Sequence, residues 1–395
     1  MSPNPRRSVS AASLAPQGET VIIGGGIMGL GLAYELARRG RSDVHVLEQS
    51  YLTSGASGRN GGGVRMQWST ELNVRLMQES IDICRDFASE LGINVWFRQG
   101  GYLFLTRTET ELAHMERNVA LQNKLGVPTR ILSPKEAQKI VPELDARAFS
   151  AACYNPLDGV VFPWPFLWGY AQAAAEMGVQ IHTFTQVTGI DVRGPHSFVV
   201  QTSKGPIAAE RVINAAGAWS PEVAKLVGVT LPNSPHRHEI LATEPLKFFL
   251  KPLCSVIGSG LYFSQSMRGE IIGGITLKEP DTHQVRLGSS LRFLEEMSAA
   301  LVQVMPILSQ VRVLRQWAGP YDVSPDGLPI LGEPDGLPGF HLLCGFMGHG
   351  FMMAPVMARL YAEFLCGGKR HEVFDKCKLS RFAQASTLQE VLIIG

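Results

Sequence analysis

The stretch TVIIGGGIMGLGLAYELARRG, Thr20 to Gly40, decides the fold. Thr20-Val21-Ile22-Ile23 is a β-branched run suited to a strand buried on both faces of a parallel sheet. It meets Gly24, Gly26 and Gly29, spaced G-x-G-x-x-G. The residues after them carry apolar side chains at helical spacing as far as Gly40, where a left-handed C-cap is expected. Gly24 makes the tight turn, Gly26 lets the backbone approach a pyrophosphate, and Gly29 lets the helix pack closely on the strand. A pyrophosphate there meets the N-H groups of the first turn, around Ile27 and Met28, and the positive end of the helix dipole. A second strand, Val44-His45-Val46-Leu47, ends at Glu48-Gln49, and Glu48 lies 19 residues beyond Gly29, where an acid binds a ribose diol and repels a 2′-phosphate. The spacing predicts a dinucleotide-binding βαβ, against the plainer alternative of a flexible glycine loop and a solvated glutamate.

The 395 residues, 45% hydrophobic and 18% charged, suffice for a large core and predict two closely connected lobes. A net charge of +1 gives no field to recruit nucleic acid or an anionic membrane. The cysteines stand singly with no C-x-x-C pair, and no histidine lies at metal-ligand spacing, so they read as reduced thiols of a cytoplasmic protein and no metal is expected. Arg6-Arg7 precedes a polar segment rather than an apolar one, so residues 1–19 are expected to be a disordered extension and not an export signal. No apolar run reaches the roughly 18 residues of a membrane span.

After the second strand, Gly55-Ala56-Ser57-Gly58-Arg59-Asn60-Gly61-Gly62-Gly63-Val64-Arg65 is small, polar and dense in glycine. Such a stretch can lie against a ring system or phosphates with backbone N-H groups turned inward, and can open a second helix capped by Ser or Asn. Arg211-Val212-Ile213-Asn214-Ala215-Ala216-Gly217-Ala218-Trp219-Ser220 repeats the strand-to-glycine turn. Near the C-terminus, the strand Phe340–Cys344 runs into Gly345-Phe346-Met347-Gly348-His349-Gly350 and a helix expected from Phe351. That helix N-terminus would stabilise negative charge on a bound ring.

With these motifs the sequence resembles the D-amino-acid-oxidase-like superfamily of FAD-dependent oxidoreductases. The likeness runs from Val21 to the C-terminal region. It looks closest to the β subunits of heteromeric sarcosine oxidase and dye-linked L-proline dehydrogenase, with opine and hydroxyproline oxidising relatives nearby. GGYLFL (Gly100–Leu105), WAGPYDVSPDGLPILG (Trp317–Gly332) and CGFMGHGFMMAP (Cys344–Pro355) carry the closer match. The resemblance implies an α/β protein with a discontinuous Rossmann-type FAD-binding domain, residues 20–91, 144–234 and 317–395. A mixed-sheet α+β substrate domain, residues 92–143 and 235–316, would roof the flavin. The expected FAD contacts are Gly24, Gly26, Ile27, Met28, Gly29, Glu48, Gln49, Ser57, Arg59, Asn60, Gly61, Gly62, Val187, Ala216, Gly217, Trp219, Gly348, Gly350, Phe351 and Met352.

The resemblance also implies oxidation of the C-N bond of a secondary-amine or imino acid, such as sarcosine, proline, hydroxyproline or an opine, by hydride transfer to flavin N5. The setting would be the catalytic β subunit of a heteromer with an α subunit and small iron-sulfur or linker subunits. Two alternatives stay open: a self-sufficient glycine-oxidase-like enzyme making H2O2, and a flavin-holding electron-transfer subunit. Such chemistry needs a cation for the substrate carboxylate and a site that desolvates a neutral amine. Arg65 is the first choice for the clamp because its planar fork suits bidentate pairing, with Arg59 as competitor. His349 in the G-H-G turn, and His238, Tyr262 and Trp317 on the expected roof strands, are the other catalytic candidates, each against the plainer reading of a core residue. Where the monomeric sarcosine oxidases have a lysine after the G-H-G-F run, this chain has Met352, which argues against simple sarcosine specificity. The strand Glu270–Gly274 has no lysine to help O2, and Lys278 lies past it, which favours another electron acceptor. The start of the helix at Pro163-Trp164-Pro165 has no histidine for covalent FMN, so the flavin is expected to be non-covalent FAD, with room for FMN shared at a subunit interface.

Overall fold

The computed structural model describes residues 16–277, 284–368 and 370–383. The expectations for residues 1–15, for Lys278 and for residues beyond 383 lie outside them. The first strand, Gln17–Ile23, begins before Thr20 and sits at the centre of an eight-stranded sheet. It pairs in parallel with Val44–Leu47 on one side and Gly205–Asn214 on the other. Gln180–His182 and Phe340–Cys344 extend the parallel set outward. Strict alternation buries both faces. Ile22, Val44, Val46 and Ile213 meet the helices Ile27–Arg38, Glu71–Leu91, Pro163–Glu176 and Gly350–Gly367. Val21, Ile23, Leu47 and Val212 pack instead with the antiparallel ribbon Val187–Gly194 and Ser197–Thr202.

A second eight-stranded sheet runs in the order Val313–Val323, Ser234–Thr243, Ile271–Gly274, Leu261–Gln265, Leu253–Val256, Tyr102–Thr106, Ala151–Asn155 and Arg130–Leu132. Its one parallel junction, Leu253–Val256 beside Tyr102–Thr106, makes it a mixed sheet. Leu103, Leu105, Leu241, Phe263 and Ile271 turn to one face and bury Phe293, Met297 and Leu301 of the helix Leu291–Val304. The period of two sends Tyr102, Ile240, Leu253 and Tyr262 to the opposite face, where they border a cavity between the sheets. Ser290 caps the helix by accepting from Phe293 N-H, and donates to the buried Glu239 of the sheet. No described helix is long and apolar enough to cross a membrane.

Three expectations are corrected. Residues 151–155 and 317–323, expected in the FAD-binding domain, belong to the second sheet, since 151–155 pair with 102–106 and 313–323 pair with 234–243. The glycine stretch opens no helix; it forms a short 3-10 turn at Ala56–Gly58 and the strand Gly63–Val64. Asn60 folds that turn onto itself, donating to Ser57 O (2.6 Å) and accepting from Gly62 N-H (2.7 Å), while Thr70 caps the following helix.

Candidate active site

A cavity of about 500 Å³ runs from the Glu48 end of the first sheet to the underside of the second. Its outer half is the dinucleotide turn. Gly24 holds φ +118°, and a Cβ on Gly29 would lie 2.0 Å from Gly24 O, so these two glycines are required by the protein itself. Gly26 differs: a Cβ there would meet only Ser57 Oγ, at 3.1 Å, and the space in front of it is cavity. Ser57 Oγ accepts from Ile27 N-H (3.0 Å) at the helix N-terminus. Glu48 accepts from Gly25 N-H and Ser50 N-H, both 2.9 Å, which fixes its carboxylate at the cavity wall.

Glu48, Gln49, Val187, Ala216, Gly217 and Trp219 line one end, the glycine stretch with Ser57, Arg59, Asn60, Gly61 and Gly62 runs along the side, and Gly348, Gly350, Phe351 and Met352 form the floor. The expected FAD contacts thus surround one cavity except Gly29, which packs behind it. An FAD fits this lining: a helix N-terminus and a glycine whose missing side chain no protein atom demands stand where a pyrophosphate needs them. Arg59 ties the glycine stretch to the roof, donating to Ser54 O (2.9 Å) and Ala318 O (3.2 Å).

At the inner end Tyr102, His238, Tyr262, Tyr321, His349 and Arg65 converge. His238 stacks on Tyr321 with ring centres 4.6 Å apart, and its Nε2 lies 3.1 Å from Tyr262 Oη. Burial pulls His238 down to about 4 and raises both phenols, so all three rings are neutral at ordinary pH. Trp317 is corrected. It lies four residues, two repeats of the pleat, away from Tyr321 on the same strand, donates to Arg59 O (2.9 Å), and does not border the cavity. Tyr102 and Tyr321 are site residues that the sequence reading omits. Their signal was the alternation of GGYLFL and GPYDV, usable only once the sheet's inner face is known.

Arg65, expected to fork onto a substrate carboxylate, is wholly buried. Its guanidinium lies 4.1 Å from the Trp68 ring centre and 5.6 Å from that of Phe104, donates to Gln67 O, and reaches His349 Nε2 at 3.4 Å. Two of its nitrogens are thus engaged by protein groups, and the guanidinium does not stand as the free fork expected for bidentate pairing. An arginine can only donate, so His349 accepts through Nε2 and carries its proton on Nδ1. Burial, and secondarily the Arg65 charge, hold the His349 pKa well below its usual value.

A buried carboxyl group braces this end. Asp158 accepts from Met66 N-H (2.7 Å), Gln67 Nε2 (2.9 Å) and Asn155 Nδ2 (2.7 Å), fixing the segment that carries Arg65. Burial pushes its carboxyl up to about 7 despite these donors. Between the ordinary value of 3.8 and about 7, the folded chain therefore holds a proton that the unfolded chain has lost. This group's contribution to stability falls as pH rises through that window, by about 1.4 kcal/mol per pH unit. Asp158→Asn is expected to remove that slope, so the stability of variant minus parent, from urea unfolding, increases with pH across the window. A pH-independent difference would sink the assignment.

The family model for FAD dependent oxidoreductases (DAO) matches residues 19–364. The chain is 28% identical to sarcosine oxidase subunit beta of Rhodobacter capsulatus, over 95% of this chain and 91% of that one. It is also 28% identical to mitochondrial dimethylglycine dehydrogenase of Mus musculus, covering 94% of this chain but 45% of that longer protein. Among solved structures, L-proline dehydrogenase from P. horikoshii superposes with a TM-score of 0.89 at 35% identity, covering 95% of this chain and 100% of that one. Glycine oxidase from Geobacillus kaustophilus follows at 0.84 and 26%, covering 96% and 100%.

Proposed function

As the chain belongs to the DAO family of FAD-dependent oxidoreductases, we propose that it oxidises the C-N bond of a secondary-amine amino acid of the sarcosine or proline type. The observation that carries this reading is the charge arrangement at the inner end of the cavity. A buried cation, Arg65, backs a neutral histidine, and no unengaged carboxylate faces them. The carboxylates on the cavity wall, among the described residues, are Glu48, Glu222 and Asp322. Glu48 is held at the opposite end, Glu222 follows the Trp219 turn, and Asp322 is engaged by Gly345 N-H and Asn233 Nδ2. A substrate carboxylate is favoured here and an ammonium is not, so the amine enters neutral with its lone pair free. His349 presents a hydrogen-bond donor to the carboxylate, while Arg65 orients the ring and supplies the positive field. His238, Tyr262 and Tyr321 form the desolvating roof. Bound FAD would supply the acceptor for the hydride, which carries both electrons removed from the substrate.

The names of the similar proteins, sarcosine oxidase subunit beta and L-proline dehydrogenase, support a secondary amine and, in the first case, a partner subunit. We infer a catalytic subunit of a heteromeric cytoplasmic complex, whose α subunit and any small iron-sulfur or linker subunit carry electrons onward. The likeness to glycine oxidase favours a second reading, a self-sufficient oxidase making H2O2. An anaerobic screen of flavin bleaching with sarcosine, proline, hydroxyproline, an opine and glycine tests the substrate class. Bleaching by none of them would overturn it. Assay of the chain alone with a dye and with O2 separates the two settings, full O2 turnover defeating the heteromer.

A pH dependence follows. His238, pulled down to about 4, and His349, held low, are weak bases, so neither imidazole takes the proton of a substrate ammonium at neutral pH. Log kcat/KM is therefore expected to climb with a slope of about one per pH unit until the free substrate amine is deprotonated. A bell centred near pH 7 would contradict the neutral-amine mechanism.

A further inference from the structure

The strand Val313–Val323 is an edge of the roof sheet among the described residues, and the turn before the helix Gly350–Gly367 closes against it. Asp322 and Met347 form an isolated antiparallel bridge, with Met347 N-H donating to Asp322 O at 2.9 Å. The Asp322 carboxylate, itself buried, also accepts from Gly345 N-H in the same turn and from Asn233 Nδ2 on the roof side. Within the turn Met347 adopts φ +56°, a left-handed conformation that a residue with a Cβ resists. Its sulfur accepts from Ser324 N-H at 3.2 Å, so its backbone is tied to the edge strand and its side chain to the residue that directly follows it. Next to it, a Cβ on Gly348 would come within 2.7 Å of the Tyr321 ring. Tyr321 and Asp322 thus grip the turn from adjacent positions, and the turn delivers Gly348, His349 and Gly350 to the cavity floor.

We propose that Asp322 is a positioning residue that latches the Gly345–Gly348 turn to the roof strand, holding Met347 left-handed and so setting the floor on which the flavin lies. The latch acts on cofactor binding whichever amine is oxidised, so its failure and the failure of the substrate reading are separate outcomes.

The test measures FAD affinity, by flavin fluorescence on reconstitution of the flavin-free full chain, for Asp322→Ala, Asp322→Asn, Met347→Gly and the double variant Asp322→Ala/Met347→Gly. Asp322→Ala is expected to weaken FAD binding about tenfold or more, since it strands two buried donors and frees the turn. Asp322→Asn, which keeps the shape but sets an amide N-H against one of those donors, is expected to weaken it severalfold. Glycine adopts the left-handed conformation without a latch, so Met347→Gly should recover roughly fivefold in the Asp322→Ala background and nothing in the parent. Parental affinity in Asp322→Ala overturns the proposal. So does an equal effect of Met347→Gly in both backgrounds. If Asp322→Ala fails to fold, Asp322→Asn with parental affinity overturns it on its own.

Discussion

Gly29→Ala is expected to yield a chain that retains no FAD and unfolds at lower temperature, whereas Gly26→Ala is expected to lose FAD with its folding stability nearly unchanged. The two positions belong to one motif, yet their surroundings differ. At Gly29 an added methyl stands 2.0 Å from Gly24 O and 3.2 Å from Ile22 Cγ2. The first of these is backbone, in a turn already held at φ +118°, so the helix must move away from the strand. Overpacking of this kind costs about 3 kcal/mol, and moving the helix N-terminus removes the pyrophosphate site with it. At Gly26 the methyl meets only a serine hydroxyl oxygen at 3.1 Å and projects toward the cavity, so the penalty falls on the ligand. FAD affinity should fall by roughly a hundredfold there too, about 3 kcal/mol. Flavin absorbance of the purified variants, with thermal midpoints of the flavin-free forms, separates the cases. Equal thermal loss at both positions would refute the division of labour.

That division is legible in the sequence because the dinucleotide turn is local. A strand, three glycines and an acid after the next strand determine one another within 30 residues or so, and short-range sterics admit few alternatives. The inner end is different. Tyr102 and Tyr321 reach the cavity because Tyr102–Thr106 pairs with Leu253–Val256, and Val313–Val323 with Ser234–Thr243, contacts between segments far apart in the chain. Alternation within each strand marks two faces but not which one meets the flavin. Trp317 shows the same limit in the other direction: it shares a strand and a face with Tyr321, but four residues of displacement put it on the glycine stretch instead. Arg65 ends the glycine stretch and offers a planar fork, both legible in the sequence, while its burial depends on Phe104 from the roof and His349 from the C-terminal turn. Asp158 and Asp322 carry no motif at all. Each became visible through the backbone donors it gathers.

Arg65→Met is expected to lower kcat/KM by about a thousandfold, some 4 kcal/mol, while leaving FAD bound. Methionine keeps the length and apolar packing against Trp68 and Phe104, so no large void opens. What disappears is the buried positive charge that Arg65 brings to this end and the donor that fixes His349 by its Nε2. The ring is then free to turn, and the substrate carboxylate meets an environment of neutral aromatic groups in which desolvation is uncompensated. Arg65→Lys should recover little, because an ammonium neither stacks on the indole face nor spans Gln67 O and His349 together. A pH profile distinguishes this positioning role from loss of packing. Part of the depression of the His349 pKa comes from the Arg65 charge, so its removal moves that titration upward. In Arg65→Met an additional acid limb should therefore appear, with activity lost as pH falls through a value higher than in the parent. The measurements are steady-state kinetics with a dye acceptor and anaerobic flavin reduction from about pH 5 to pH 10. A variant within threefold or so of the parent, or one whose loss is the same at every pH, would mean that the carboxylate is bound elsewhere on the cavity wall.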